Sequence, residues 1–257
     1  MPVALALSPH LDDAAFSCGG TLATLAEAGW QVVMATIFTG TVPDPKGFAL
    51  ACQTDKGLGP EIDYMALRRE EDRRAAEALG IAPPLHLPFR EAPHRGYGSA
   101  RELFADPRGD DEIVDNLGDA VSRLVADVSP DFVLAPQAVG GHVDHVQLVR
   151  AICQARWSVP ILWWRDFPYT VRDAAPKEPF KSDFHALPER ACRYSATAEA
   201  RKGASCSAYA TQLGFQFGGV EGLMERLTVE ARTERFRLTG TLSAGAAALF
   251  EVHGARA

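Results

Sequence analysis

Val3-Ala4-Leu5-Ala6-Leu7-Ser8-Pro9-His10-Leu11-Asp12-Asp13-Ala14-Ala15-Phe16 opens the chain's regular pattern. Five apolar residues in a row read as a buried strand, and the spacing from Phe16 to Ala28 is helical and stops at Gly29. The same alternation repeats outward from there. Gln31–Phe38, Leu85–Phe89, Asp131–Ala135 and Ile161–Trp164 are strand-like. Met65–Leu79, Asp111–Val128 and Val146–Ala155 are helical, and the 111–128 segment carries acidic residues in its first turn, where they suit the helix dipole. Near-continuous apolar strands alternating with helices predict a sheet covered on both faces, hence a mainly parallel one.

The expected fold class is α/β: a Rossmann-like three-layer sandwich, sheet order 3-2-1-4-5, with a less regular C-terminal part. Phe184–Tyr194 is expected to hold one or two short strands. Thr197–Leu213 and Gly222–Phe236 look helical, and the Ala- and Gly-rich end reads as a strand or a loose tail. No linker forces a division, so residues 1–257 are expected to form a single domain.

Loop lengths locate the working face. Helix-to-strand links are brief, whereas residues 39–64, 90–110 and 165–183 form long strand-to-helix links. In a parallel sheet these leave from the carboxyl edge, where open α/β sheets bind ligands.

Composition narrows the class of function. The 257 residues are 47% hydrophobic and 23% charged, as in soluble globular proteins, with a formal net charge of −7. An acidic chain without a basic run is a poor partner for phosphate backbones, so nucleic acid is not the expected ligand. Met1–Leu7 lacks the basic start of a signal peptide, and no apolar run approaches the ~20 residues of a membrane span. Five cysteines without a CxxC pair, Cys18, Cys52, Cys153, Cys192 and Cys206, read as free thiols in a reducing cytoplasm.

Two clusters carry chemistry. Ser8-Pro9-His10-Leu11-Asp12-Asp13 follows the first strand, and Gly140-Gly141-His142-Val143-Asp144-His145 follows the fourth. In order 3-2-1-4-5 these strands flank the switch point, so both clusters line one crevice. His10 with Asp13, and His142 with His145, are three apart and can each reach one ion. A hydrolytic zinc keeps three protein ligands and an open position, and makes water a nucleophile near neutral pH. Six candidates compete for four or five roles, and spacing does not divide them. The plainer reading of Asp12 or Asp13 is a cap on the helix starting near Ala14.

SPHLDDAAFSCGG followed far downstream by GGHVDH resembles the zinc-dependent LmbE-like / PIG-L family of N-deacetylases. The resemblance extends to about residue 155, with weaker echoes at Leu67–Asp72 and Lys202–Gln212. It implies that His10, Asp13 and His145 bind zinc; two imidazoles and a carboxylate also suit another divalent ion such as Fe2+ or Mn2+. It implies that Asp12 is the general base, that His142 stabilises the oxyanion as a neutral or cationic donor, and that Asp144 orients a histidine. Arg68 matches the family's substrate-contacting arginine; the other reading is a solvated helix arginine. The implied reaction removes an acyl group, most simply acetyl, from a small-molecule amine such as an amino sugar. Leu11 stands where the family often has Pro and Ala14 where it often has Glu, which leaves the subfamily and substrate open. A metal-dependent esterase or phosphoesterase, or a non-catalytic sugar- or nucleotide-binding module, are the competing functions.

The motifs GxGxxG, P-loop, HExxH and GxSxG are absent from the sequence. His94, Arg95, Tyr97, Trp163, Trp164, Phe167 and Tyr169 lie on or near the long loops, where aromatics can stack on a sugar or simply pack. His86, His185 and His253 have no partner motif and read as structural or solvated.

Overall fold

A computed structural model describes residues 1–252. Its strands are β1 (Val3–Ser8), β2 (Gln31–Thr36), β3 (Leu85–His86), β4 (Phe132–Pro136), β5 (Ile161–Trp164), β6 (Glu189–Arg193), β7 (Thr233–Thr239) and β8 (Glu251–Val252). They form one sheet in the order β3-β2-β1-β4-β5-β7-β6-β8. The first five are parallel in the expected order 3-2-1-4-5. The last three join antiparallel.

Strand β1 shows why the sheet has two covered faces. Ala4, Leu5, Ala6 and Leu7 are all 0% exposed. The small Ala4 and Ala6 share a core with Ala14, Cys18 and Leu22 of helix α1 (Asp13–Glu27), so α1 sits close to the sheet. Leu5 and Leu7 share the opposite core with Val146 and Val149 of helix Val143–Ala155. Burying each leucine contributes about 1.5–3 kcal/mol. Helix α2 (Gly47–Thr54) lies within the long link after β2, and helix α3 (Tyr64–Leu79) packs on α1. Ala4 pairs with Phe132 and Ala6 with Leu134, so β1 and β4 end together and release their loops side by side.

The C-terminal part corrects the helical reading of Gly222–Phe236. Helix Val220–Thr228 stops there, a turn follows with positive φ at Ala231 and Arg232, and β7 begins at Thr233. Glu234, Phe236 and Leu238 point inward in alternation. Glu234 hid the strand's period because it is charged yet 3% exposed. Lys202 Nζ donates to it at 2.7 Å, and the Gly20 and Thr21 amides add bonds of 2.9 and 2.7 Å.

The expected helix over Thr197–Leu213 is two, Ala196–Ser207 and Ala210–Phe217, broken at Tyr209, whose hydroxyl donates to Asp72 at 2.6 Å. Phe184–Tyr194 holds the end of helix Lys181–His185 and one strand, β6. Helix Ala244–Ala247 precedes β8; His253 and the rest of the tail lie outside the described residues. No helix among the described residues is long and apolar enough to cross a membrane.

Candidate active site

The turn after β1 is held by the side chains of Ser8 and Asp13. Ser8 Oγ accepts the Ala14 amide at 3.0 Å and donates to the His10 carbonyl at 2.7 Å. Neither Asp12 nor Asp13 caps α1 through its side chain, so the capping reading fails. Asp13 Oδ2 accepts the His10 amide at 2.7 Å. The turn after β4 runs through Gly140 and Gly141, with φ of 95° and 75°. A Cβ at Gly140 would overlap the Tyr169 ring, so position 140 needs glycine both for its conformation and for its space.

The two turns bring three donor atoms together. His10 Nδ1 lies 3.2 Å from Asp13 Oδ2, His145 Nε2 lies 3.1 Å from the same oxygen, and the two nitrogens are 3.3 Å apart. Ligands about 2.1 Å from a tetrahedral centre are about 3.4 Å from one another, so this triangle has the dimensions of one face of a zinc site. The His10, His142 and His145 donors form a looser group, within 4.8 Å. His142 stands aside because its Nδ1 caps helix Val143–Ala155, accepting the Asp144 amide at 3.2 Å. Its proton therefore sits on Nε2.

Each histidine of the triangle has a carboxylate behind it. His10 Nε2 donates to Asp144 Oδ2 at 2.9 Å, and His145 Nδ1 donates to Asp166 Oδ1 at 2.7 Å. These bonds put the protons on the outer nitrogens and turn the inner lone pairs toward the triangle. Asp144 thus orients His10; its distance to His142 is 4.0 Å. Asp144 is also held by Arg95 Nη1 at 2.7 Å and the Ala92 amide at 3.0 Å. Asp166 takes the Val139 amide at 2.9 Å. Sequence reasoning missed Asp166. Its available signal was a carboxylate two residues past β5, at the edge that already held both clusters.

The electrostatics match this arrangement. Burial favours neutral rings, but Asp13 and Asp144 outweigh it and hold His10 well above the ordinary histidine range. Asp13 and Asp166 likewise raise His145, against burial, to about 9. Carboxylates that stabilise protons on two imidazoles favour a divalent cation in their place. Burial, then the charge of His10, pushes His142 down to about 3, so it is neutral at pH 7. Burial, then Asp13, pushes Asp12 up to about 7 against the pull of Arg68.

Asp12 is 4% exposed, takes no part in the triangle, and faces a cavity of about 310 Å³ with His10, Asp13, Arg68 and His142. Phe48, Tyr64, Phe104, Tyr169 and Phe215 supply aromatic walls. Arg68 is not a solvated helix arginine. It is 5% exposed, bonds Glu91 at 2.6 Å, and approaches Asp12 Oδ1 to 3.6 Å. Lys56 and Arg172 also reach this cavity, bringing cations that the two sequence clusters lack. Trp163, Trp164, Phe167 and Tyr97 are core residues, His94 lines a neighbouring cavity of about 220 Å³, and His86 bonds Asp72 at 2.9 Å.

A family model described as PIG-L, GlcNAc-PI de-N-acetylase, matches residues 5–156. A 2'-N-acetylparomamine deacetylase of Streptomyces fradiae is 35% identical over 180 residues, 68% of this chain and 60% of that protein. A 1D-myo-inositol 2-acetamido-2-deoxy-alpha-D-glucopyranoside deacetylase of Nocardia farcinica (strain IFM 10152) is 28% identical over 184 residues, 66% of this chain and 57% of that one. The chain thus spans about 60% of the length of these curated relatives. The crystal structure of the zinc inhibited form of teicoplanin deacetylase superposes with a TM-score of 0.77 at 26% identity, covering 93% of this chain and 98% of that one.

Proposed function

The chain belongs to the PIG-L family, and from that premise we propose that it is a metal-dependent hydrolase removing an N-acyl group, most simply acetyl, from an amino sugar or related small amine. The observation that carries the proposal is the triangle of His10, Asp13 and His145 beside a carboxylate, Asp12, that the triangle leaves free. The relatives named as acting on 2'-N-acetylparomamine and on an acetamido-glucopyranoside support the substrate class. One sheet takes strands from both halves of the chain, which supports reading residues 1–257 as one domain. The five cysteines are free, which supports a cytoplasmic location.

His10 Nδ1, Asp13 Oδ2 and His145 Nε2 would hold zinc, although two imidazoles and a carboxylate also suit iron or manganese. When bound, the ion supplies Lewis-acid activation of the amide carbonyl and of the attacking water. Asp12 accepts the proton from that water as the new C–O bond forms. The neutral His142 presents Nε2–H to the oxygen that becomes negative, a donor fixed in advance by the helix cap. Asp12 then gives its proton to the leaving nitrogen, the C–N bond breaks, and acetate and the free amine depart. Arg68 borders the cavity beside Asp12, where it can contact substrate polar groups.

The test is release of amine by the metal-reconstituted chain from a panel containing N-acetylglucosamine, 2'-N-acetylparomamine, and matched acetate and phosphate esters. Elemental analysis identifies the ion. Metal-loaded protein that releases no amine from any amide, or that prefers the esters, refutes the proposal.

A further inference from the structure

Asp12 has few polar neighbours for a buried carboxylate. Arg68 approaches Oδ1 only to 3.6 Å, and Arg68 is itself committed to Glu91 at 2.6 Å. The hydrogen bond that Asp12 does receive comes from the other end of the chain. Gln216 Nε2 donates to Asp12 Oδ2 at 3.1 Å, across 204 residues. Gln216 is half-buried, lines the same cavity, and lies on helix Ala210–Phe217, outside the segment 5–156 that carries the family match.

That helix is fixed where this contact needs it. The Thr211 amide and hydroxyl donate to Glu71 on α3 at 2.8 and 2.7 Å. Gln212 Nε2 donates to the Tyr64 hydroxyl at 2.8 Å, and Arg172 Nη2 donates to the Gln216 carbonyl at 3.3 Å. The side chain of Gln216 has no other hydrogen-bond partner among the described residues than Asp12.

We propose that Gln216 is a positioning residue for the base: its amide N–H holds one oxygen of Asp12, so the other faces the attacking water. The inference rests on the deacylase reading above. A neutral amide suits the task. A lysine there would add a second cation beside Arg68 and weaken the base, and a glutamate would add a third carboxylate beside Asp12 and Asp13. An amide fixes the rotamer and leaves the local charge unchanged. Without it, the carboxylate turns about its last torsion, which is broad for aspartate.

The test is Gln216→Met, which keeps length and removes the donor, in the full chain loaded with zinc and assayed on 2'-N-acetylparomamine. We expect kcat to fall about 10- to 100-fold, the scale of a misplaced reacting group, with KM changed less than about threefold. In an Asp12→Ala background the same substitution should cost nothing further, since its effect passes through Asp12. A crystal structure of Gln216→Met should show the Asp12 carboxylate rotated or in two orientations. A raised KM with kcat intact, an equal loss in both backgrounds, or an unmoved Asp12 each overturns the proposal. Wild-type protein that releases no amine from 2'-N-acetylparomamine or from any other amide of the panel defeats the functional reading instead, and the crystal structure still decides the role of Gln216.

Discussion

Asp166→Asn tests the carboxylate behind His145 at almost constant volume. Asp166 is 0% exposed and uses both oxygens: Oδ2 takes the Val139 amide at 2.9 Å and Oδ1 takes His145 Nδ1–H at 2.7 Å. An asparagine has one acceptor for these two donors. If its oxygen serves Val139, its NH2 faces His145 Nδ1, which must then accept. The ring proton moves to Nε2, the atom 3.1 Å from Asp13 and 3.3 Å from His10 Nδ1. The inner lone pair is then lost unless the ring is rearranged. If the oxygen serves His145, the NH2 opposes the Val139 amide, and a buried unsatisfied donor costs about 1–3 kcal/mol of stability. Loss of such an outer partner typically lowers metal affinity about 10- to 100-fold, or about 1.4–2.7 kcal/mol. Zinc affinity by competition with a chromophoric chelator measures the first outcome, and thermal unfolding of the metal-free protein measures the second. Wild-type affinity together with wild-type stability would refute the reasoning.

Three further outcomes are expected. Asp12→Ala should lower amine release about 10²- to 10⁴-fold while elemental analysis finds the ion still bound; unchanged turnover at full occupancy removes Asp12 as the base. Gly140→Ala should cost about 1–3 kcal/mol from its φ of 95° alone, with activity lost as Tyr169 is displaced; a melt and turnover equal to wild type would contradict the packing described. Stability should also depend on pH through Glu230, which bonds Lys202 and which burial pushes from 4.5 up to about 7. The folded protein then favours the protonated carboxyl, so this contribution is fully present below about 4.5 and is lost as pH rises to about 7. Denaturant midpoints measured from pH 4 to 8 should show that slope, and Glu230→Gln should flatten it.

Periodicity and placement of charge were enough to read the parallel half of the sheet and the edge that carries the site. Ala4–Leu7 is buried on both sides, so the apolar run has no gaps, and His10 and Asp13 follow the strand directly. The joining of His10 with His145 was legible because strands 1 and 4 flank the switch point. The C-terminal third resisted for a definite reason. Thr233–Thr239 alternates four charged or polar residues with buried ones, and one inward-facing residue, Glu234, breaks the apolar pattern because its partner, Lys202, meets it only in space. Tyr209 ends one helix because of a partner, Asp72, that lies 137 residues away.

What the sequence determined by itself was the set of chemical groups and the sheet edge to which they belong, since both follow from local pattern along the chain. Only the tertiary structure decided the roles within that set, and it added Asp166 and Gln216, which the sequence reading did not single out. Asp144 stands behind His10 rather than His142, Asp166 behind His145, and Gln216 against Asp12. Those pairings depend on distances of about 3 Å between residues separated by 134, 21 and 204 positions. Strand register and helix packing set such distances, and no local periodicity encodes them.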